Sequence, residues 1–262
     1  STALVRFVIG LVLNSDDFRI RPVLALVSAR ALGYLGESHY MLAAAIELIH
    51  ASLRLHERVR ECYQESSEVI DDDRLLGNPG KILLGDLLYT AAFKLVVSLN
   101  NKRIMEVLSN ATTRIAEAEV FYHSQGEHVS LALDQRLNIV KNRDAKLFEA
   151  ATQCAAILCG ASSVTEEALT TYGMCLGTGL HLIVQIREKP GAILGLEYLR
   201  QIAHAELLHA AAAITVLPES DNKQALSHLV AWASQGSVAN LNSVTQWNSS
   251  SSMVSSVEPE ST

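Results

Sequence analysis

The chain has 262 residues, 49% hydrophobic and 19% charged, with a formal net charge of −7. That length builds one large domain with a substantial core, or at most two small ones. An acidic balance without basic clusters excludes nucleic acid and anionic membrane surfaces as partners.

Apolar residues recur at helical spacing almost throughout, and the spacing predicts helices over 2–14, 22–35, 38–62, 76–99, 102–122, 134–160, 165–188, 194–217 and 221–235. Alanine and leucine dominate, which favours helix over sheet, and no segment alternates as a strand does. The first helix, broken by Arg6, is too short to cross a bilayer and lacks a small-residue cleavage site. No transmembrane segment is expected. Helix breaks are predicted at Asn100-Asn101, Gly160-Ala161-Ser162-Ser163, Pro190-Gly191 and Pro218-Glu219-Ser220. The run Leu83-Leu84-Gly85-Asp86-Leu87-Leu88 is apolar over most of its circumference and belongs inside a bundle. We expect one helical domain over residues 1–236 and a polar, serine-rich, disordered tail over 237–262, with Trp247 a solvated tail residue.

Several residue clusters could carry chemistry. Asp71-Asp72-Asp73 are consecutive, so on a helix they point about 100° apart and do not converge on a metal. His204 and His209, like His123 and His128, are five apart and are expected to be surface histidines. Cys62, Cys154, Cys159 and Cys175 show no CxxC spacing and no nearby histidine pair, as reduced thiols of a cytoplasmic protein would. There is no GxSxG, phosphate loop or GxGxxG.

Five segments occur in a telling order. Arg19-Ile20-Arg21-Pro22 leads into Leu24–Gly33. Ile46-Glu47-Leu48-Ile49-His50 leads to His56, and Gly85-Asp86-Leu87-Leu88-Tyr89-Thr90-Ala91-Ala92-Phe93 follows. Lys146-Leu147-Phe148-Glu149 precedes Tyr172-Gly173-Met174-Cys175-Leu176-Gly177. Together they resemble the trans-isoprenyl diphosphate synthase family, in its long-chain, octaprenyl-type form, over residues 19 to 233. The resemblance implies an all-α fold, a single bundle of long antiparallel helices around a central cavity, in a dimer.

The family condenses an allylic diphosphate with isopentenyl diphosphate. Magnesium ions held by two DDxxD motifs neutralise the leaving diphosphate. Where the first motif should stand, this chain has Glu57-Arg58-Val59-Arg60-Glu61. Glu57 and Glu61 keep outer carboxylates, and Arg58 replaces the second aspartate. Cations beside a dication site repel it by about 1 kcal/mol or more. Where the second should stand it has Val184-Gln185-Ile186-Arg187-Glu188, so only Glu188 keeps an acid. The Phe-Gln pair upstream is Leu180-His181, and the Lys-Thr pair of the middle helix is Arg143-Asp144. The arginine pair after the first motif aligns with Ser66-Ser67, its following glycine with Glu68, and the opening lysine with Phe18. Arg21 and His50 persist, at positions that bind isopentenyl diphosphate in the family. After Glu188 the chain passes almost directly to Leu196-Glu197-Tyr198, so the bundle is expected to be shortened near its C-terminus and part of the site wall absent.

No catalytic residue, metal ligand or cofactor is therefore expected. The first expectation is a catalytically inactive subunit in isoprenoid biosynthesis, such as that of a quinone side chain, that forms a heteromer with a catalytic polyprenyl diphosphate synthase homologue or a homodimer with itself. Two alternatives stand beside it. One is an active prenyltransferase using magnesium on Glu57, Glu61 and a carboxylate from elsewhere. The other is a regulatory module that holds an isoprenoid in the cavity.

Overall fold

A computed structural model describes residues 19–61, 73–125, 132–188 and 196–235. The helix expected over 2–14, Phe18, Cys62, Ser66, Ser67, Glu68, Asp71, Asp72, His128, Pro190-Gly191 and the tail 237–262 lie outside these residues, as do the side chains of Arg60, Glu61 and Glu188. Among the described residues there is no strand, and the chain forms α1 (Ile20–Ala31), α2 (Ser38–Glu61), α3 (Asp73–Ser98), α4 (Lys102–Ser124), α5 (Leu133–Ile139), a π turn (Val140–Asp144), α6 (Lys146–Leu158), α7 (Ser163–Glu188), α8 (Leu196–Ala213), a 3-10 turn (Ile214–Val216) and α9 (Asp221–Ser234). The all-α antiparallel bundle expected from the sequence is the architecture observed.

The breaks fall where local chemistry dictates. Asn100 takes a left-handed φ of 49°, and the Asn101 side chain accepts from the amides of Arg103 (3.1 Å) and Ile104 (3.3 Å), capping α4. Gly160, at φ 64°, closes α6, and the Ser162 hydroxyl accepts from the Thr165 amide at 3.2 Å at the start of α7. Ser220 caps α9 by accepting from the Lys223 amide at 3.1 Å. In α3, Gly77 at φ 56° separates the first turn from the rest, and Pro79 stands where the helix restarts.

One expected helix divides. Residues 134–160 form α5 and α6 joined by the π turn, marked by the Ala145 amide donating five residues back to the Val140 carbonyl at 3.0 Å. One extra residue per turn rotates everything after it. This turn carries Arg143 and Asp144, so the correction bears directly on the site.

The core has two main halves. In one, Leu42, Ile46 and Ile49 of α2 meet Ile104 and Leu108 of α4 and Ala151 of α6. In the other, Leu169, Tyr172 and Leu176 of α7 meet Leu207 of α8 and Leu226 of α9. The Tyr172 hydroxyl is satisfied by donating to the Leu226 carbonyl at 2.9 Å. Helices α6 and α7 approach closely because Gly173 and Gly177 leave room. A Cβ on Gly173 would meet the Thr152 hydroxyl and lie 2.5 Å from the Phe148 carbonyl, and one on Gly177 would lie 3.0 Å from Ala145 Cα. Among the described residues, no helix is long and apolar enough to cross a membrane.

Candidate functional site

The motif positions converge between the second half of α2, the π turn, the end of α4 and the second half of α7. Arg143 sits at the centre. Its Nη2 donates to Glu57 Oε1 at 2.6 Å, and its Nε lies 2.5 Å from Glu119 Oε2. Glu119 Oε2 lies off the N–H direction, so that second contact is a charge contact more than a directed hydrogen bond. The guanidinium also stands over the Tyr122 ring, 5.1 Å from its centre. Burial alone would lower the Arg143 pKa, but Asp144, Glu119 and Glu57 outweigh it and raise the pKa further. Arg143 is a permanent cation here.

Glu57, the carboxylate that opens the first motif position, is engaged on both oxygens: Oε1 by Arg143, and Oε2 by Arg54 at 4.0 Å. Arg58 is half-buried beside it.

Asp144 is mostly buried, and burial pushes its pKa up to about 6. Arg143 and then Arg21 oppose that rise, while Glu57 adds to it. His181 Nε2 lies 3.3 Å from Asp144 Oδ2 and 2.9 Å from Gln185 Nε2. The Asp144 contact is not aligned as a hydrogen bond, and which end of the Gln185 amide faces the ring is an assignment from the network. Gln185 thus places a neutral amide, facing His181, where the family motif has an acid. Val184 packs against the apolar cluster of α7, α8 and α9. The position that would supply the first acid of the second motif has joined the core.

The two persistent positions lie next to this network. Arg21 covers the Phe148 ring, with its Cζ 4.5 Å from the ring centre. His50 is held neutral: burial first, then the charges of Arg21 and Arg54, lower its pKa to about 2. Arg21 acts electrostatically on both His50 and Asp144, so the three share one neighbourhood. His56 rests on Gly85, with Nε2 3.4 Å from both Asp86 and the Ile82 carbonyl.

The structure brings together Arg21, His50, Glu57, Asp144, His181 and Gln185 and withdraws Val184. Glu119 is a participant that sequence reasoning missed. Its partnership with Arg143 spans a helix crossing and leaves no spacing signature. Magnesium is the ion such motif positions bind elsewhere, and the donor set described here does not fit it. One carboxylate of the first motif is neutralised by arginines, and the second offers a valine and a neutral amide. No step through magnesium is derived.

A second feature lies on the outer face of α3 and α4. Leu83 is 70% exposed and Val97 63%, with Ile82, Leu87, Val120 and Phe121 also exposed. Between these helices runs an open groove of about 550 Å³ lined by Tyr89, Thr112, Ala116, Glu117 and Val120.

The chain matches the polyprenyl synthetase family model over residues 11–183. That match stops one residue before Val184. It is 37% identical over 172 residues to an octaprenyl diphosphate synthase of Escherichia coli, covering 66% of this chain and 53% of that protein. The corresponding figures for an octaprenyl diphosphate synthase of Haemophilus influenzae are 33% over 170 residues, 65% and 52%. The chain therefore spans about half the length of the curated relatives it matches. Among solved structures, a decaprenyl diphosphate synthase from Rhodobacter capsulatus superposes with a TM-score of 0.79 at 26% identity, covering 87% of this chain and 88% of that one. A polyprenyl synthase from Caulobacter crescentus, complexed with calcium and isoprenyl diphosphate, superposes at 0.78 and shares the fold at 23% identity, covering 88% and 89%.

Proposed function

This chain belongs to the polyprenyl synthetase family, and we propose that within it the chain is a catalytically inactive subunit supporting a competent polyprenyl diphosphate synthase. The observation that carries this reading is the arginine-centred closure of the site. Arg143 joins Glu57 to Glu119 where the family reaction needs unpaired acids facing a diphosphate. A dication entering there must displace a guanidinium from two carboxylates, and at Val184 it would find only hydrocarbon. The shortness of the link between α7 and α8, residues 189–195, supports the loss of part of the site wall.

The partner is a homologue with intact acidic motifs, and the exposed apolar face of α3 and α4 is the surface that meets it, in a heteromer preferred over the homodimer. We assign residues 1–236 to this one domain, with 237–262 a polar tail outside it. A cytoplasmic location accords with the free thiols Cys154, Cys159 and Cys175.

One observation favours a second reading, an active prenyltransferase with an unusual site. Glu57, Glu119 and Asp144 gather around Arg143, and were Arg143 to swing out they would form a three-carboxylate cluster. A single binding experiment separates the two. Calorimetric titration of the chain with magnesium and an unreactive allylic thiodiphosphate is expected to give no saturable heat. The variant Arg58→Asp/Val184→Asp/Gln185→Asp restores three acids, but Arg143 still holds Glu57, so it too is expected to show little turnover. Saturable binding by the unaltered chain, or turnover by the triple variant near that of an intact homologue, would favour the active-enzyme reading.

A further inference from the structure

On the other side of the π turn's Lys141, α7 and α8 bring together three side chains of the kinds that hold transition metals. Cys175 lies on α7. Glu206 and His209 lie three residues apart on α8, a spacing that puts both on one face. One ligand atom from each of the three lies within 4.8 Å of the others. The residues are graded in depth: Cys175 is buried, Glu206 is half-buried, and His209 reaches solvent, so an ion has a way in. Lys141 Nζ pairs with Glu206 Oε1 at 2.8 Å, and the Cys175 thiol hydrogen-bonds to the Glu206 carboxylate.

We propose that Cys175, Glu206 and His209 form a zinc-binding site, with three protein ligands and a fourth position open to water. Zinc accepts sulfur, nitrogen and oxygen donors together, in a tetrahedron with bonds of about 2.0–2.3 Å. Donor atoms in such a tetrahedron stand about 3.3–3.8 Å apart, so the three close by roughly 1 Å. Rotation of the exposed His209 ring and the Glu206 carboxylate supplies that movement. Magnesium and calcium demand oxygen-only shells and do not suit a thiol and an imidazole. On binding, the zinc–sulfur bond forms as the thiol proton leaves to solvent. The Lys141 ammonium gives up Glu206 to the incoming dication. No electron moves, since zinc has one stable oxidation state. The bound ion cross-links α7 to α8, two helices that the chain itself joins only through residues 189–195.

The site shares no ligand with the Arg143 network, and its failure would leave the proposed subunit role untouched. The test uses the full chain, stripped with a chelator and titrated with zinc against a chromogenic competitor, then separately with cobalt(II). One zinc per chain is expected. Cobalt should show the strong visible bands of tetrahedral coordination and a sulfur-to-cobalt charge-transfer band. Cys175→Ser should lose that band and weaken zinc binding on the order of 100-fold, and His209→Ala should weaken it about tenfold or more. Lys141→Met, which frees Glu206, should tighten binding about fivefold. His209 is exposed, so His209→Ala tests the site even if Cys175→Ser fails to fold: zinc should raise the melting temperature of the unaltered chain and not of His209→Ala. No competition for zinc, a charge-transfer band that survives Cys175→Ser, or an equal zinc-induced shift in His209→Ala would each overturn the proposal.

Discussion

Arg143 is the residue on which the site turns. It replaces a lysine of the family pattern, and the difference is geometric as well as electrostatic, because a guanidinium can face two carboxylates at once. Removing it leaves Glu57 and Glu119 facing each other uncompensated. Arg143→Met is expected to lower stability by about 2 kcal/mol, the full cost of breaking a buried pair being reduced because Glu57 is partly solvated. A urea unfolding curve with an unchanged slope would report it. Its neighbour Asp144 behaves in the opposite sense. Its folded pKa of about 6 lies above the ordinary 3.8. The folded state therefore holds a proton that the unfolded chain gives up, and the associated stability is present below pH 4 and lost as pH rises through 6. Asp144→Asn should stabilise the protein relative to the unaltered chain at pH 7.5, by about 1–2 kcal/mol, and give little difference at pH 4. Unfolding midpoints at the two pH values check it. A difference that is larger at pH 4 would contradict the burial argument. His50 is held neutral in the folded state while the unfolded chain takes up a proton below its ordinary 6.5, so it contributes stability present above pH 6.5 and lost as pH falls; that contribution is common to both chains and drops out of the Asp144→Asn comparison.

At the level of helices, the close contact of α6 and α7 depends on two glycines in the segment Tyr172–Gly177. A methyl on Gly173 meets backbone at Phe148 and a hydroxyl already donating to the Leu169 carbonyl at 2.6 Å. Neither can retreat without moving a helix. Gly173→Ala is expected to cost about 2–3 kcal/mol despite the better helix propensity of alanine, measured as a drop in thermal or urea midpoint. Gly85→Ala presses only on the half-exposed ring of His56, which can rotate away, and should be far milder.

Much of this was legible in advance. Apolar periodicity locates α1 to α4 and α7 to α9, and Asn100, Gly160 and Ser220 mark ends that the backbone confirms. The loss of acids at residues 58 and 184–185 is visible in the letters alone. The π turn is not, because an insertion of one residue into a turn barely disturbs apolar spacing; the only trace is the polar run Lys141-Asn142-Arg143-Asp144. Nor is the Arg143–Glu119 contact, or the meeting of Cys175 with His209. Each joins residues on different helices, and only the packed bundle sets their separation. His209 is exposed, as expected of a surface histidine, and its nearness to Cys175 on α7 is what the spacing could not show.

For the whole molecule, the exposed apolar residues of α3 and α4 are where the proposed partner contact is placed. Isolated exposed leucines are ordinary, but Ile82, Leu83 and Leu87 on α3 and Val120 and Phe121 on α4 are all exposed large apolar side chains. The proposed heteromer should bury more than the ~1,200–2,000 Å² of ordinary contacts. Co-expressed with an intact homologue from the same source, the chain is expected to co-elute at the mass of a heteromer, and Leu83→Glu/Leu87→Glu should release it as a folded monomer. A monomer that ignores the intact synthase would remove the subunit role. The central claim is that the site, as assembled, does no prenyl transfer. The most direct measurement is incorporation of radiolabelled isopentenyl diphosphate by the purified chain, alone, with magnesium and an allylic diphosphate, beside an intact octaprenyl-type synthase. The account predicts counts at the no-enzyme background. Chain elongation that depends on protein concentration and disappears in Glu57→Gln would contradict it.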